Sequence, residues 1–364
     1  MTEVKWMIYG ATGETGSMIA EEAVRQGQRP ILAGRSASKL APLAQRLGLD
    51  WVACDLNEPD QLAQVVATVG VVLNVAGPFM ISAPSLVRAC LDAGVHYLDI
   101  AGEIPVLQYL FSQDQAARQR GIALIGSVGF GSVATNGLAR YVADQLPDAT
   151  SLEVAARASN RLSSVGATIS TLRGLARGGN VYRNGRLIPF RLGKGLKTLR
   201  FPDGPIDIMP APTGDLLEAY HATNIPNVTA YIPFQRGIAP FLPLIQIALS
   251  FRPLRQRLEA IVEKRGAKQT AGQEQTPKTS YTWARATAAD GRQVEAWLEL
   301  GEGYQFTAAS SVQAVMRVLR DQPVGALTPA QAFGWDFVLG IEGVQLLSAQ
   351  QEAQQKEEHD HENF

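Results

Sequence analysis

The stretch VKWMIYGATGETGSMIAEEAVRQG, residues 4–27, decides the fold. Val4 to Tyr9 is a short apolar run that predicts a buried strand and stops at Gly10. From Ser17 to Gln26 the residues Met18, Ile19, Ala23 and Val24 recur at helical spacing, and Gly27 ends the pattern. Between strand and helix stand Gly10, Gly13 and Gly16. A glycine loop in that context is where a dinucleotide fingerprint belongs. Gly10 permits the tight turn, Gly13 lets the backbone approach a pyrophosphate, and Gly16 allows close helix–sheet packing. The helix start offers unpaired N–H groups and a partial positive charge to phosphates. Thr12, Glu14 and Thr15 complete the loop, so all six positions are candidate cofactor-binding residues.

Cofactor choice is read at the end of the second strand. An NAD site places an acidic residue there, about 20 residues past the glycines, to bond the ribose 2′-hydroxyl. This chain has Ala33-Gly34-Arg35-Ser36, with Lys39 nearby and no carboxylate. A guanidinium, a hydroxyl and an ammonium suit a 2′-phosphate, which predicts NADP. Asp55, after the third strand, is a candidate for the adenine amine. Asn74, Ala76, Gly77 and Pro78, after the fourth, are candidates for lining the adenosine and nicotinamide ribose.

Working outward, strand, glycine and helix repeat to about residue 145. Continuous apolar strands alternating with helices predict a parallel sheet covered on both faces, a Rossmann-type doubly wound α/β domain over residues 1–147. Within it, a helix is expected over Ser82–Ala93 with Pro84 in its first turn, and one over Pro105–Arg120. From residue 148 to 350 the pattern changes. Asn184-Gly185 and Asp290-Gly291 each sit between strand-like runs and predict hairpins, hence an α+β domain for substrate and dimer contact. Ser310–Leu319 is an amphipathic helix, and Thr328-Pro329 starts the last one as N-cap and N1. Residues 268–279 are polar and turn-rich, which predicts a mobile loop. Residues 351–364 are acidic and apolar-poor, which predicts a disordered tail.

Composition narrows the class. With 33 Lys+Arg against 34 Asp+Glu the formal charge is −1, too balanced for phosphate-backbone binding, so nucleic acid is not an expected partner. No apolar run reaches about 18 residues, the length of a membrane-spanning helix. The N-terminus MTEVKWMIYG lacks the charged start and apolar stretch of a secretory leader. Cys54 and Cys90 are the only cysteines and form neither a disulfide framework nor a zinc pattern; His359 and His361 have no evident metal partners. A cytoplasmic protein without a metal is expected. Ile238–Phe251 (IAPFLPLIQIALSF) is the most apolar segment; it reads as a buried or interface helix, with an apolar substrate wall or a peripheral membrane contact as alternatives.

GATGETG, then AGR, then NVAGPF followed by a helix and HYLDIAGE, resembles the saccharopine dehydrogenase-like NADP-binding oxidoreductases. The resemblance continues at VGFGSVATNGLA, at GDLLEAYHATNIPNVTAYI and at TPAQAFGWDF. It implies hydride transfer on a small substrate: an amino-acid-derived imine, a carbonyl or an enoyl compound. Gly131 and Ala134 depart from the family's motif, where an acidic residue and a proline are usual, so a catalytically silent NADP-binding sensor or scaffold is the alternative. No Tyr is followed four places on by Lys, which excludes the Tyr/Lys proton donor of other Rossmann reductases. Residues at the carboxyl ends of strands meet ligands in open sheets: Tyr97, Asp99 and Glu103, then Ser132, Thr135 and Asn136. Asp99 and Glu103 are the candidate catalytic carboxylates, with His221 as a candidate general acid. The substrate is expected between the two domains and the assembly is expected to be a homodimer.

Overall fold

The computed structural model describes residues 5–159, 165–269 and 279–348. The tail from 351, with His359 and His361, lies outside them, as does most of the polar segment at 268–279.

The chain opens as six strands alternating with helices: β1 (Trp6–Tyr9), α1 (Glu14–Arg25), β2 (Ile31–Gly34), α2 (Ala37–Leu47), β3 (Trp51–Ala53), α3 (Pro59–Val66), β4 (Val71–Asn74), α4 (Phe79–Ala93), β5 (His96–Asp99), α5 (Ile104–Ser112), α6 (Asp114–Arg120) and β6 (Ala123–Ile125). All pairings are parallel, with Met7 opposite both Ile31 and Val72, and Val72 opposite Tyr97. Every residue of β1, β4 and β5 is buried, as a strand covered by helices on both faces requires. Two helix boundaries differ from expectation. The Pro78 carbonyl accepts the N–H of Ile81 at 2.9 Å and of Ser82 at 3.2 Å, so α4 starts at Phe79 and Pro84 lies inside it. The run from Pro105 to Arg120 breaks at Gln113 into two helices. There the Asp114 carboxylate takes the N–H of Ala326 at 2.8 Å, a long-range bond that no local pattern contains.

Next come α7 (Ser132–Gln145), β7 (Ala149–Arg157), α8 (Val165–Arg177), β8 (Gly179–Arg183), β9 (Arg186–Phe190), β10 (Lys197–Phe201), β11 (Gly204–Pro210), α9 (Gly214–Thr223) and β12 (Asn227–Pro233). A 3-10 turn over Arg236–Phe241 leads into α10 (Leu242–Ser250), then α11 (Arg252–Gln269), β13 (Ser280–Ala288), β14 (Gln293–Leu300), α12 (Gly303–Asp321), β15 (Gly325–Leu327), α13 (Pro329–Phe333) and β16 (Gln345–Ser348). The hairpins at Asn184-Gly185 and Asp290-Gly291 form as expected. A third, β10–β11, turns at Pro202-Asp203, a turn signal that the sequence reading passed over. Thr328 and Gln331 form a capping box at the start of α13.

The first sheet has the order β15-β6-β5-β4-β1-β2-β3, the dinucleotide-fold order with one strand added. The second is mixed, β10-β11-β12-β7-β13-β14-β16, with the β8–β9 hairpin attached to β12. The expected doubly wound sheet and second α+β unit are therefore both present. Their boundary is not the single cut expected at 147/148. Unit 1 is Met1–Val133 with Tyr304–Gly334, and unit 2 is Ala134–Gly303 with Trp335–Phe364. β15 pairs in parallel with β6, and Ser310 on α12 donates its hydroxyl to the Val128 carbonyl at 2.8 Å. These pairings bind the late segment to the first sheet.

In unit 2 the sheet carries a core of Leu199, Phe201, Ile208, Tyr231, Tyr281, Trp283 and Trp297. Over it Glu153 accepts from Lys197 at 2.5 Å and from Tyr231 at 2.7 Å, and pairs with Arg285 at 2.5 Å. The two cations also lie over the Trp283 ring, and their aliphatic stems help to bury it fully.

Candidate functional site

The loop after β1 is built from its neighbours. The Ala33 carbonyl at the end of β2 accepts the N–H groups of Gly10 (2.8 Å) and Ala11 (3.2 Å). Gly10 has φ +93°, and a Cβ there would lie 2.7 Å from the Ala76 nitrogen. A Cβ on Gly16 would lie 2.4 Å from the Gly10 oxygen. Both glycines are thus dictated by the protein's own packing. Gly13 is different: it is exposed, and a Cβ would make only one ordinary contact, 3.4 Å to the Gly10 oxygen. Its bareness serves no internal packing, and it sits as the N-cap of α1 with no side-chain cap. The N–H groups of Glu14, Thr15 and Gly16 in that first turn have no acceptor within the helix. Thr12 and Glu14 are exposed and Thr15 half-buried. An open anion cradle results, and it fits a pyrophosphate.

Beside it, Arg35 and Lys39 are exposed and Ser36 half-buried, the Ser36 hydroxyl lying 3.0 Å from that of Ser38. Asp55 closes a turn after β3, where one of its oxygens takes both the backbone and side-chain N–H of Asn57 at 2.9 Å. Gly77 and Pro78 are exposed and Ala76 half-buried.

Asn74 is placed otherwise than a ribose ligand. It is wholly buried; its amide donates to the hydroxyls of Ser82 (2.9 Å) and Tyr97 (3.0 Å), and its oxygen accepts the Ala76 N–H (3.0 Å). Ser82 in turn donates to the Ala76 carbonyl at 2.6 Å. Asn74 therefore shapes the loop to Pro78 from beneath.

The same network runs to Asp99. Tyr97 donates its hydroxyl to Asp99 Oδ2 at 2.9 Å, and Asp99 Oδ1 accepts the N–H groups of Ala101 (2.9 Å) and Ser127 (3.0 Å). The Ser127 hydroxyl donates to the Ala101 carbonyl. Burial pushes the Asp99 carboxyl up to about 6, against the opposing pull of these three donors, and it pushes the Tyr97 hydroxyl up as well. The structure separates the two candidate catalytic carboxylates: Asp99 is 0% exposed beneath the sheet edge, whereas Glu103 is half-buried at the N-cap position of α5.

Other candidates lie in unit 2. Thr135 donates to Asp215 at 2.7 Å, and buried Asn136 donates to buried Glu218 at 3.3 Å. His221 is half-buried on α9, its ring edge-on to Tyr220 at 5.6 Å, and Tyr220 stacks on Tyr182 at 4.0 Å. Burial holds His221 below the usual histidine range. Ser82, Ser127, Asp215 and Glu218 are parts of these networks that sequence reasoning missed. Only the polar residues in otherwise apolar strand ends and helix faces hinted at them. Among the described residues, no three metal-ligating side chains cluster.

Comparison with known proteins bears on the first sheet. Residues 6–125, which run from β1 through β6, match the saccharopine dehydrogenase NADP binding domain. A saccharopine dehydrogenase-like oxidoreductase of Bos taurus is 29% identical over 147 residues, 35% of this chain and 34% of that protein. A trans-acting enoyl reductase of Mycobacterium bovis is 33% identical over 135 residues, 35% of this chain and 32% of that one. The chain thus aligns with about a third of the length of each of these relatives. In fold, the apo saccharopine dehydrogenase (L-Glu forming) of Saccharomyces cerevisiae superposes over 95% of this chain and 100% of its own, with a TM-score of 0.64 at 13% identity. A dinucleotide cradle on a sheet of this order, within the matched residues 6–125, makes that segment similar to the NADP-binding domain of the saccharopine dehydrogenase-like oxidoreductases.

Proposed function

We propose that the protein is an NADP-dependent oxidoreductase acting on a small substrate at the carboxyl edge of the first sheet. The observation that carries this is the bare, exposed Gly13 at the start of α1 beside Arg35, with no carboxylate from Arg35 to Lys39. The first-turn N–H groups of α1 would hold the pyrophosphate. Arg35, Ser36 and Lys39 would hold the 2′-phosphate, Asp55 the adenine side, and Ala76 to Pro78 the nicotinamide ribose. When bound, the nicotinamide supplies or accepts a hydride.

The chain's own residues then have distinct tasks. Asn74, Tyr97, Asp99 and Ser127 lock the ends of β4, β5 and β6 together, so the edge keeps one shape. Glu103, at that edge, is the carboxylate placed to bind a substrate amine or hold a proton. His221 is retained as a candidate acid on the second unit. The relatives' names, a saccharopine dehydrogenase and an enoyl reductase, support an amino-acid-derived imine or an enoyl compound as substrate, with a carbonyl compound as the third candidate. We assign the protein to the cytoplasm as a homodimer.

Thermal unfolding with NADPH and NADH at equal concentration tests the cofactor, because a ligand that binds only the folded state raises Tm. NADPH should give the larger shift; equal shifts refute the assignment. Oxidation of NADPH against a panel of imines, ketones and enoyl thioesters, repeated with Glu103→Gln, tests the chemistry. The sealed position of Asp99 favours one second reading, a silent NADP-binding protein, in which tight NADPH binding persists and no panel member is turned over.

A further inference from the structure

The most apolar segment of the chain is only half used by the fold. On one side of α10, Leu242 joins a cluster with Leu192 and Met209, against which Ile245, Leu175, Leu196 and Phe234 pack. On the other side, Phe241 is 59% exposed, Leu244 66%, Ile247 70% and Phe251 64%. From Gly237 to Phe251 no residue is charged. An uncharged helix that turns large apolar side chains outward is not explained by the core of a globular domain.

Two further observations say what covers it. Among the described residues no single helix is long and apolar enough to cross a membrane, but Arg236–Ser250 and Arg252–Val262 together have that apolar content and are bent by 98°. A bend that sharp does not make one straight span. Directly beyond Phe251, Arg252, Arg257 and Lys264 are exposed on α11. The acidic Glu259 is turned inward, where Arg173 takes it with two bonds of 2.9 Å. The stretch from Arg252 to Arg257, with two exposed cations and no acid, therefore borders the ridge in sequence.

We propose that the ridge Phe241-Leu244-Ile247-Phe251 is an interfacial anchor that takes the surface of an anionic bilayer, its apolar side chains entering the acyl boundary and Arg252 and Arg257 meeting the headgroup phosphates. A two-fold contact of the ridge with a second copy would bring the same basic border to both sides, whereas a phosphate-bearing surface complements it.

Sedimentation of the full-length chain with vesicles of phosphatidylcholine alone, or phosphatidylcholine with phosphatidylserine, tests this. The chain should bind the anionic vesicles and bind the neutral ones less well. Leu244→Asp with Ile247→Asp should weaken anionic binding by about tenfold or more. Arg252→Gln with Arg257→Gln should weaken it about fivefold per arginine, on anionic vesicles only. Both double variants lie at exposed positions, so the unfolding temperature and the NADPH-induced shift should stay as in the parent. Absence of vesicle binding, or binding that ignores the Leu244/Ile247 change, overturns the proposal. So does a dimer that the same change dissociates while no vesicle binding is seen.

Discussion

Asp99 Oδ1 accepts the N–H of Ser127 at 3.0 Å, and Ser127 holds φ +57°, a left-handed backbone that a non-glycine residue seldom adopts. The buried carboxylate on β5 thus fixes the chain as it leaves β6, while its other oxygen takes Tyr97 from within β5. Asp99→Ala leaves two backbone N–H donors and one hydroxyl without an acceptor in a dry site. It should cost roughly 3 kcal/mol, read by urea unfolding. A loss below about 1 kcal/mol would contradict the anchoring role.

The same residue predicts a pH dependence. Its carboxyl stands at about 6 in the folded chain against 3.8 for an ordinary aspartate. A raised carboxyl stabilises the fold only while protonated, so this contribution is present below the unfolded value and is lost as pH rises toward 6. Relative to Asp99→Asn, which has no such ionisation, the native chain should lose on the order of 3 kcal/mol between about pH 4 and pH 7. Paired denaturation curves at those pH values check the sign.

Glu153 predicts the opposite trend in the second unit. Lys197, Tyr231 and Arg285 hold its carboxyl below the usual range despite burial. Its stabilisation is present at neutral pH and is lost as pH falls through the folded value. Glu153→Gln should cost about 2 kcal/mol at pH 7, since the three charged side chains are about a quarter exposed and water screens them in part. The difference from the native chain should vanish in acid; a difference that is constant with pH would show packing rather than charge.

The glycine loop separates fold from binding. Gly16→Ala drives a methyl to 2.4 Å from the Gly10 oxygen, so it should destabilise by roughly 2–3 kcal/mol and weaken NADPH together. Gly13→Val meets no such wall, so it should leave Tm nearly unchanged while abolishing the calorimetric titration with NADPH. Binding retained within a few-fold in Gly13→Val would place the pyrophosphate elsewhere.

Arg35→Asp should erase or reverse the preference for NADPH over NADH, because a carboxylate repels the 2′-phosphate and bonds a ribose hydroxyl instead. Dissociation constants for both dinucleotides in both chains measure it. An unchanged ratio would assign the selectivity to other residues.

The first sheet, the glycine loop and the absence of an acid after β2 were legible in residues 4–39 because they are local: apolar runs, turn residues and helical spacing each act within a few positions. Capping of the last helix by Thr328 was local too. Other features were settled by distant partners. That β15 joins the first sheet depends on Gly325–Leu327 meeting Ala123–Ile125, about 200 residues back along the chain. Whether Asn74 and Asp99 face a ligand or the interior was undecidable from their places at strand ends. Tyr97, Ser82 and Ser127 decide it by supplying the hydrogen bonds that make burial tolerable. Likewise, the uncharged, largely apolar run from Ile238 to Phe251 announced a helix that avoids water, but only packing shows which half of it the protein itself covers. Periodicity fixes what an element is; which of its faces is buried, and against what, is set by side chains far away in sequence.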